Sequence, residues 1–219
     1  TRVRSSAASD VYKRQDIYSY KKILITPHFS VGDDNVLSFS TFNKNMYFYI
    51  YLAKKYIDSV SFIFKPHPNL RNTLVLDGYM KSIEEYEAYL DEFNRLPNAS
   101  VCEEADYLAL FDTSDGIIND SISFVGEYMY VDKPMLFLER PEQRFNELGE
   151  VLIKAHYKVS GQDYMGIDNF VNEVVVKGND YMRQEREKIF SEELDYYSDN
   201  GIKASEYVYR DIVDNLLKM

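Results

Sequence analysis

Apolar runs that stop abruptly at proline, histidine or small polar residues recur along this chain, and they constrain its fold more than any other feature. Val60-Ser61-Phe62-Ile63-Phe64 breaks into Lys65-Pro66-His67-Pro68. Gly116-Ile117-Ile118 breaks into Asn119-Asp120-Ser121-Ile122-Ser123. Each reads as a buried strand followed by a sharp turn, the way a parallel α/β sheet presents chemistry at the carboxyl ends of its strands. Lys21-Lys22-Ile23-Leu24-Ile25-Thr26, ending at Pro27-His28, and Pro134 to Leu138 read in the same way.

Helical patterns alternate with these strands. Met46, Tyr49, Ile50, Ala53 and Ile57 recur at three- and four-residue steps and predict a helix from Phe42 to Tyr56. A second is expected over Ser82 to Leu96, with Ser82-Ile83-Glu84-Glu85 as a capping box. Ala99 to Cys102 reads as a short edge strand, Tyr107 to Phe111 as a short helix, and Ser121 to Tyr130 as the helix after the third main strand. From Gln143 onward the pattern is helical: Gln143 to Ala155, Ile167 to Val176, Tyr181 to Tyr197 and Lys203 to Lys218. The rhythm predicts a doubly wound parallel, Rossmann-like sheet with a helical tail.

Ser5 to Gln15 reads, codon for codon, as a translated sequencing-library adapter, and no apolar core follows its basic residues as in a signal peptide. Residues 1–15 are therefore expected to be an artefactual leader, and 16–219 a single α/β domain whose natural chain began upstream. The whole chain carries −11. Its leader holds Arg2, Arg4, Lys13 and Arg14 against Asp10, a surplus of +3 that leaves −14 on the rest. So acidic a body argues against a nucleic-acid partner, which needs a basic footprint, yet it permits a local pocket for a phosphorylated ligand. A single cysteine, Cys102, excludes an internal disulfide and a cysteine-rich metal site. No run approaches the roughly 20 apolar residues that span a bilayer. Tyr is abundant, 20 residues, which suits packing more than carbohydrate contact.

The candidate chemistry gathers at the strand ends. At Asn119-Asp120-Ser121-Ile122-Ser123 a buried strand would deliver the chain to a helix amino end, where free N–H groups and the Ser121 and Ser123 hydroxyls could hold a diphosphate. Glu127, one turn beyond Ser123, could accept from ribose hydroxyls. Pro66 and Pro68 fix the direction of His67, and Lys65 adds a charge beside it; together they could neutralise a departing nucleotide phosphate. His67 could also serve as an acid or base. His28 would open onto the same sheet edge as a base for an acceptor hydroxyl. Lys133 reads as a surface residue and His156 as a helix-terminal one. No zinc pattern, GxGxxG, GxxxxGK[ST] or GxSxG occurs, so dehydrogenase, P-loop kinase and α/β-hydrolase readings lose their support, and neither metal nor cofactor is expected.

These segments, with Ile23 to His28, Ser114 to Phe124, Glu127-Tyr128 and Lys133 to Leu138, resemble the carboxyl-terminal domain of the CDP-glycerol glycerophosphotransferase family, the teichoic-acid primases and polymerases. The resemblance implies the carboxyl-terminal half of a GT-B fold and transfer of glycerol phosphate from CDP-glycerol to a hydroxyl on a membrane-linked polymer. It places the diphosphate at Ser121 and Ser123, with Lys65 and His67 near the leaving group; the strand-end reading adds Asn119, Asp120 and Glu127 to the donor contacts and His28, with His67, to the catalytic residues. The resemblance also implies a cytoplasmic enzyme peripheral at the inner membrane face, its acceptor held by an upstream half, without a bound metal. The chain departs from the family at His28 and Ser30, where a threonine and an arginine are common, and at Asp120-Ser121-Ile122-Ser123, where Asp-Tyr-Ser-Ser is usual. A sugar transferase using a nucleotide sugar, or a non-catalytic nucleotide-binding half, would satisfy the same residues.

Overall fold

The computed structural model describes residues 20–32, 37–104 and 106–216. The leader expected over 1–15, the Asp33-Asp34 part of the first loop and the last residues of the final predicted helix lie outside the described residues. Six parallel strands form one sheet in the order β3-β2-β1-β4-β5-β6. They are β1 (Lys21–Thr26), β2 (Val60–Phe64), β3 (Ala99–Val101), β4 (Gly116–Asn119), β5 (Met135–Glu139) and β6 (Tyr157–Ser160). The helices are α1 (Phe42–Lys55), α2 (Leu70–Leu76), α3 (Ile83–Asn94), α4 (Leu108–Thr113), α5 (Ile122–Glu127), α6 (Glu147–Leu152), α7 (Tyr164–Asn169), α8 (Arg183–Glu193), α9 (Tyr196–Asn200) and α10 (Ala204–Leu216). This is the expected doubly wound α/β fold.

Successive strand residues face opposite sides, and both sides are covered, which is why consecutive apolar residues such as Ile23-Leu24-Ile25 and Phe62-Ile63-Phe64 replace strict alternation in the central strands. Ile23, Ile25, Phe62 and Phe64 pack with Phe42 and Tyr49 of α1 and with Tyr86, Tyr89 and Phe93 of α3. Leu24, Ile63, Ile117 and Phe137 pack on the other side with Phe111, Val125, Tyr128 and Leu152. Burying a side chain of the size of Phe62 or Phe64 contributes about 1.5–3 kcal/mol. The register sets Ile25 beside both Phe64 and Ile118, and Thr26 beside Asn119. The carboxyl ends of the three central strands are therefore level.

Several elements differ from the sequence reading. α2 and β6 were not expected; α2 follows Pro68-Asn69, and β6 is a short edge strand whose Lys158 and Ser160 are exposed. The helix expected over Gln143 to Ala155 shortens to α6 and a following 3-10 turn; the Gln143 side chain instead bridges the Phe39 carbonyl to the Leu138 carbonyl of β5. The Ile167–Val176 helix begins earlier as α7 and passes into a π-helical stretch, Phe170–Val176. Tyr181 to Tyr197 breaks into α8 and α9. Ser82 makes no cap bond to α3; the Glu85 carboxylate reaches back to the Lys81 N–H at 2.7 Å. The tail is pinned by Arg186 of α8, 1% exposed, which donates to Asp132 at 3.0 Å and Asp180 at 2.7 Å.

Candidate active site

Neighbouring strands β1 and β2 end in the same turn, Pro27-His28 and Pro66-His67. The ladder continues past them, with the Lys65 N–H donating to Ile25 O at 2.8 Å and the His67 N–H to Pro27 O at 3.2 Å. The two imidazoles are thereby brought together, ring centroids 5.5 Å apart, with Phe29 against both rings at 4.4 and 4.6 Å. In each turn the N–H two residues on donates to Nδ1: Ser30 to His28 at 3.2 Å and Asn69 to His67 at 3.1 Å. The Ser30 hydroxyl also lies 2.7 Å from His28 Nδ1. Burial, then His67, lowers the His28 pKa to about 4; burial, then Lys65, holds His67 below its ordinary value. Both shifts favour the neutral ring.

The exit of β4 lies directly beside them. Asn119 Oδ1 accepts from the Thr26 hydroxyl at 2.8 Å and from the Ser121 N–H at 3.0 Å, while its Nδ2 donates to Ser121 O at 2.7 Å. Asp120, 1% exposed, accepts the His28 N–H at 2.5 Å, the Thr41 N–H at 2.6 Å and the Thr41 hydroxyl at 2.9 Å. Burial raises its pKa to about 6 against the pull of those bonds and of Arg140. The side chains of Asn119 and Asp120 thus join β1 to β4 and set where His28 stands. Ser121 is the N-cap of α5 with its hydroxyl making no cap bond, and Ser123, two residues on, is exposed.

Lys65 and Glu127 meet through a residue the sequence reading passed over. Lys65 Nζ donates to Glu104 O at 2.7 Å and lies 5.6 Å from the Tyr107 ring centre. The Tyr107 hydroxyl donates to Glu127 Oε2 at 2.6 Å, a bond that raises its own pKa. Lys65 therefore turns toward the segment between β3 and α4 while its charge still acts on His67. On the other flank Arg140, directly after β5, donates to Ser40 O at 2.8 Å and Val31 O at 3.2 Å, and Gln143 donates to Phe39 O at 3.1 Å. These fasten the loop that carries His28 and Ser30. Arg140 stands at a strand's carboxyl end, the same signal that exposed His67, whereas Thr41, Gln143 and Tyr107 carry no pattern to find them by.

His156 is remote from this group. It is 2% exposed, Nε2 bonded to Val125 O at 2.9 Å, Nδ1 without a partner, and its pKa is lowered to about 4 by burial. A charged helix-end contact is replaced by a buried neutral ring. Lys133 bonds the Phe111 and Asp112 carbonyls at the end of α4. Among the described residues no three His, Cys, Asp or Glu side chains form a metal-holding group, and no helix is long and apolar enough to cross a membrane.

The strand order reverses between β1 and β4, and in doubly wound sheets ligands bind at the carboxyl ends at such a switch point. His28, Asn119, Asp120 and Ser121 stand at this point, with His67 one strand away. The chain is a Rossmann-like α/β protein whose fold matches one half of the GT-B architecture. A wall teichoic acid polymerase TagF variant matches with a TM-score of 0.52 at 19% identity, covering 96% of this chain and 48% of that one. The S. aureus MnaA–UDP structure matches with a TM-score of 0.53 at 16% identity over 84% of this chain and 43% of that one. The UDP-GlcNAc 2-epimerase of Methanocaldococcus jannaschii gives 0.51 at 15% over 85% and 50%. The chain spans half or less of the length of these structures, and at such identities the likeness is one of fold. No family model and no curated protein matches the sequence.

Proposed function

We propose that this chain is the donor-binding half of a transferase that moves glycerol phosphate from CDP-glycerol to a hydroxyl of a teichoic-acid-like or capsular polymer. The observation that carries the reading is the pair of imidazoles, 5.5 Å apart, at the carboxyl ends of β1 and β2 next to the β1–β4 switch point. In the reaction the acceptor oxygen bonds to the distal phosphorus, the bond from that phosphorus to the bridging oxygen breaks, CMP departs and the acceptor hydroxyl gives up its proton. Negative charge grows on the bridging oxygen. In neutral His67, with Nδ1 accepting from Asn69, the proton sits on Nε2, where it can meet that charge. Ser121 and Ser123 supply hydroxyls to the diphosphate, Lys65 a cation, and Glu127 an acceptor for ribose. Asn119 and Asp120 hold the platform. The acceptor belongs to a further half of the enzyme, at the inner face of the membrane.

A nucleotide sugar is the rival donor, favoured by the UDP-binding structures among the matches. Calorimetric titration of the chain with CDP-glycerol and with UDP-N-acetylglucosamine separates the two. Binding of CDP-glycerol alone, lost in Ser121→Ala/Ser123→Ala, is the expected result. Preference for the nucleotide sugar would transfer the protein to the sugar transferases.

A further inference from the structure

Ser30, two residues beyond His28 in the turn that follows β1, hydrogen-bonds the imidazole. It is fully buried and meets the ring twice, with its N–H 3.2 Å and its hydroxyl 2.7 Å from Nδ1. The hydroxyl oxygen also accepts the Phe39 N–H at 3.0 Å, and its hydrogen is free to turn to the imidazole nitrogen. A backbone N–H can only donate. The N–H makes that nitrogen present its lone pair, the hydroxyl hydrogen can then join it at the shorter distance, and a neutral ring carries its proton on Nε2.

The geometry points to Ser30 as a positioning residue that fixes the tautomer of His28, making it an Nε2–H donor toward a phosphate oxygen instead of the base that its place at the strand end suggests. This deepens the proposed function and rests on it for the phosphate. The tautomer itself rests only on the contacts. The groups around His28 agree with a neutral ring: His67 faces it, Lys65 acts on His67, and the Asp120 carboxylate accepts the His28 backbone N–H and so lies on the main-chain side. Base action at Nε2 would need the proton on Nδ1, facing the Ser30 N–H.

The test is imidazole nitrogen NMR of the full chain at pH 7, with His67 and His156 as internal references. The expected result is His28 wholly in the Nε2–H form. Ser30→Ala keeps the backbone N–H at 3.2 Å but loses the closer hydroxyl at 2.7 Å, so a minor Nδ1–H form then appears at His28 alone, while Ser30→Thr, which keeps the hydroxyl, stays in the single form. A wild-type ring protonated on Nδ1 would overturn the proposal, as would a folded Ser30→Ala protein whose His28 is unchanged. If Ser30→Ala does not fold, the wild-type spectrum and Ser30→Thr decide. Titration of CDP into the same sample reads the other question: a His28 Nε2–H that stays unmoved would remove the phosphate, and with it the donor reading, without altering the tautomer.

Discussion

The Asp120 carboxylate receives three hydrogen bonds from β1's exit and from the start of α1 while almost wholly buried. A carboxamide of the same shape keeps one acceptor but turns an N–H toward the Thr41 donors. Asp120→Asn should therefore lose about 3 kcal/mol in urea denaturation at pH 7; a loss below a few tenths would show that the clamp is dispensable. Two buried groups pull stability in opposite directions with pH. Asp120 is raised to about 6, so the folded chain takes its proton first, and this favourable contribution fades as pH rises through 6. His156 is lowered to about 4 from 6.5, so the unfolded chain takes the proton first, and the stability present above 6.5 is lost as pH falls through 4. That loss approaches about 3 kcal/mol. In His156→Gln, which can still donate to Val125 O, denaturation midpoints should fall less between pH 6.5 and 4.5 than in the parent. Equal falls would remove His156 as the acid-sensitive group.

Elements join at a few close approaches. Gly161, just past β6, sits where a Cβ would lie 2.4 Å from Thr41 Cγ2, and its carbonyl accepts Asn45 Nδ2 at 2.6 Å. Gly161→Ala should push α1 off β6 at a cost of about 1–3 kcal/mol. Thr41→Ser, which keeps the hydroxyl for Asp120 and drops the methyl, should recover part of it in the double mutant; strict additivity of the two losses would deny the contact. The strands with unbroken apolar runs were legible because burial on both faces writes itself into consecutive residues, as at Val60 to Phe64. β6 was not, because an edge strand reading Tyr157-Lys158-Val159-Ser160 mixes polar and apolar positions. α2 escaped because only Leu70 and Leu74 of it are buried, too few to show a period. The π-helical stretch Phe170–Val176 keeps a helical composition while abandoning the helical spacing. At the site, His28, His67 and Ser121 were readable as breaks at strand ends. Arg140 carries the same strand-end break, whereas the role of Tyr107 arises from partners brought near only by the fold.

At the scale of the whole molecule, the sheet order makes the site a product of three crossovers meeting at one edge. In the full-length enzyme that the proposed function implies, His67→Ala should lower transfer from the donor by about 10²–10⁴-fold. The urea midpoint should barely move, since the ring is only half-buried. Near-normal turnover would remove His67 from the chemistry.

The central position of β1 also governs how the protein is born. The Thr26–Asn119 bond joins residues 93 apart in the chain. Closing a loop of that length costs about 4 kcal/mol in chain entropy before any contact rewards it. On a ribosome adding about 5–20 residues per second, β1 waits about 5–20 s for β4 after it emerges. During that interval β1 can pair with β2, and the two histidines can already face each other. The side that Asp120 will later clamp is then an open row of unpaired amides and carbonyls, the stretch of nascent chain that a chaperone would have most reason to hold.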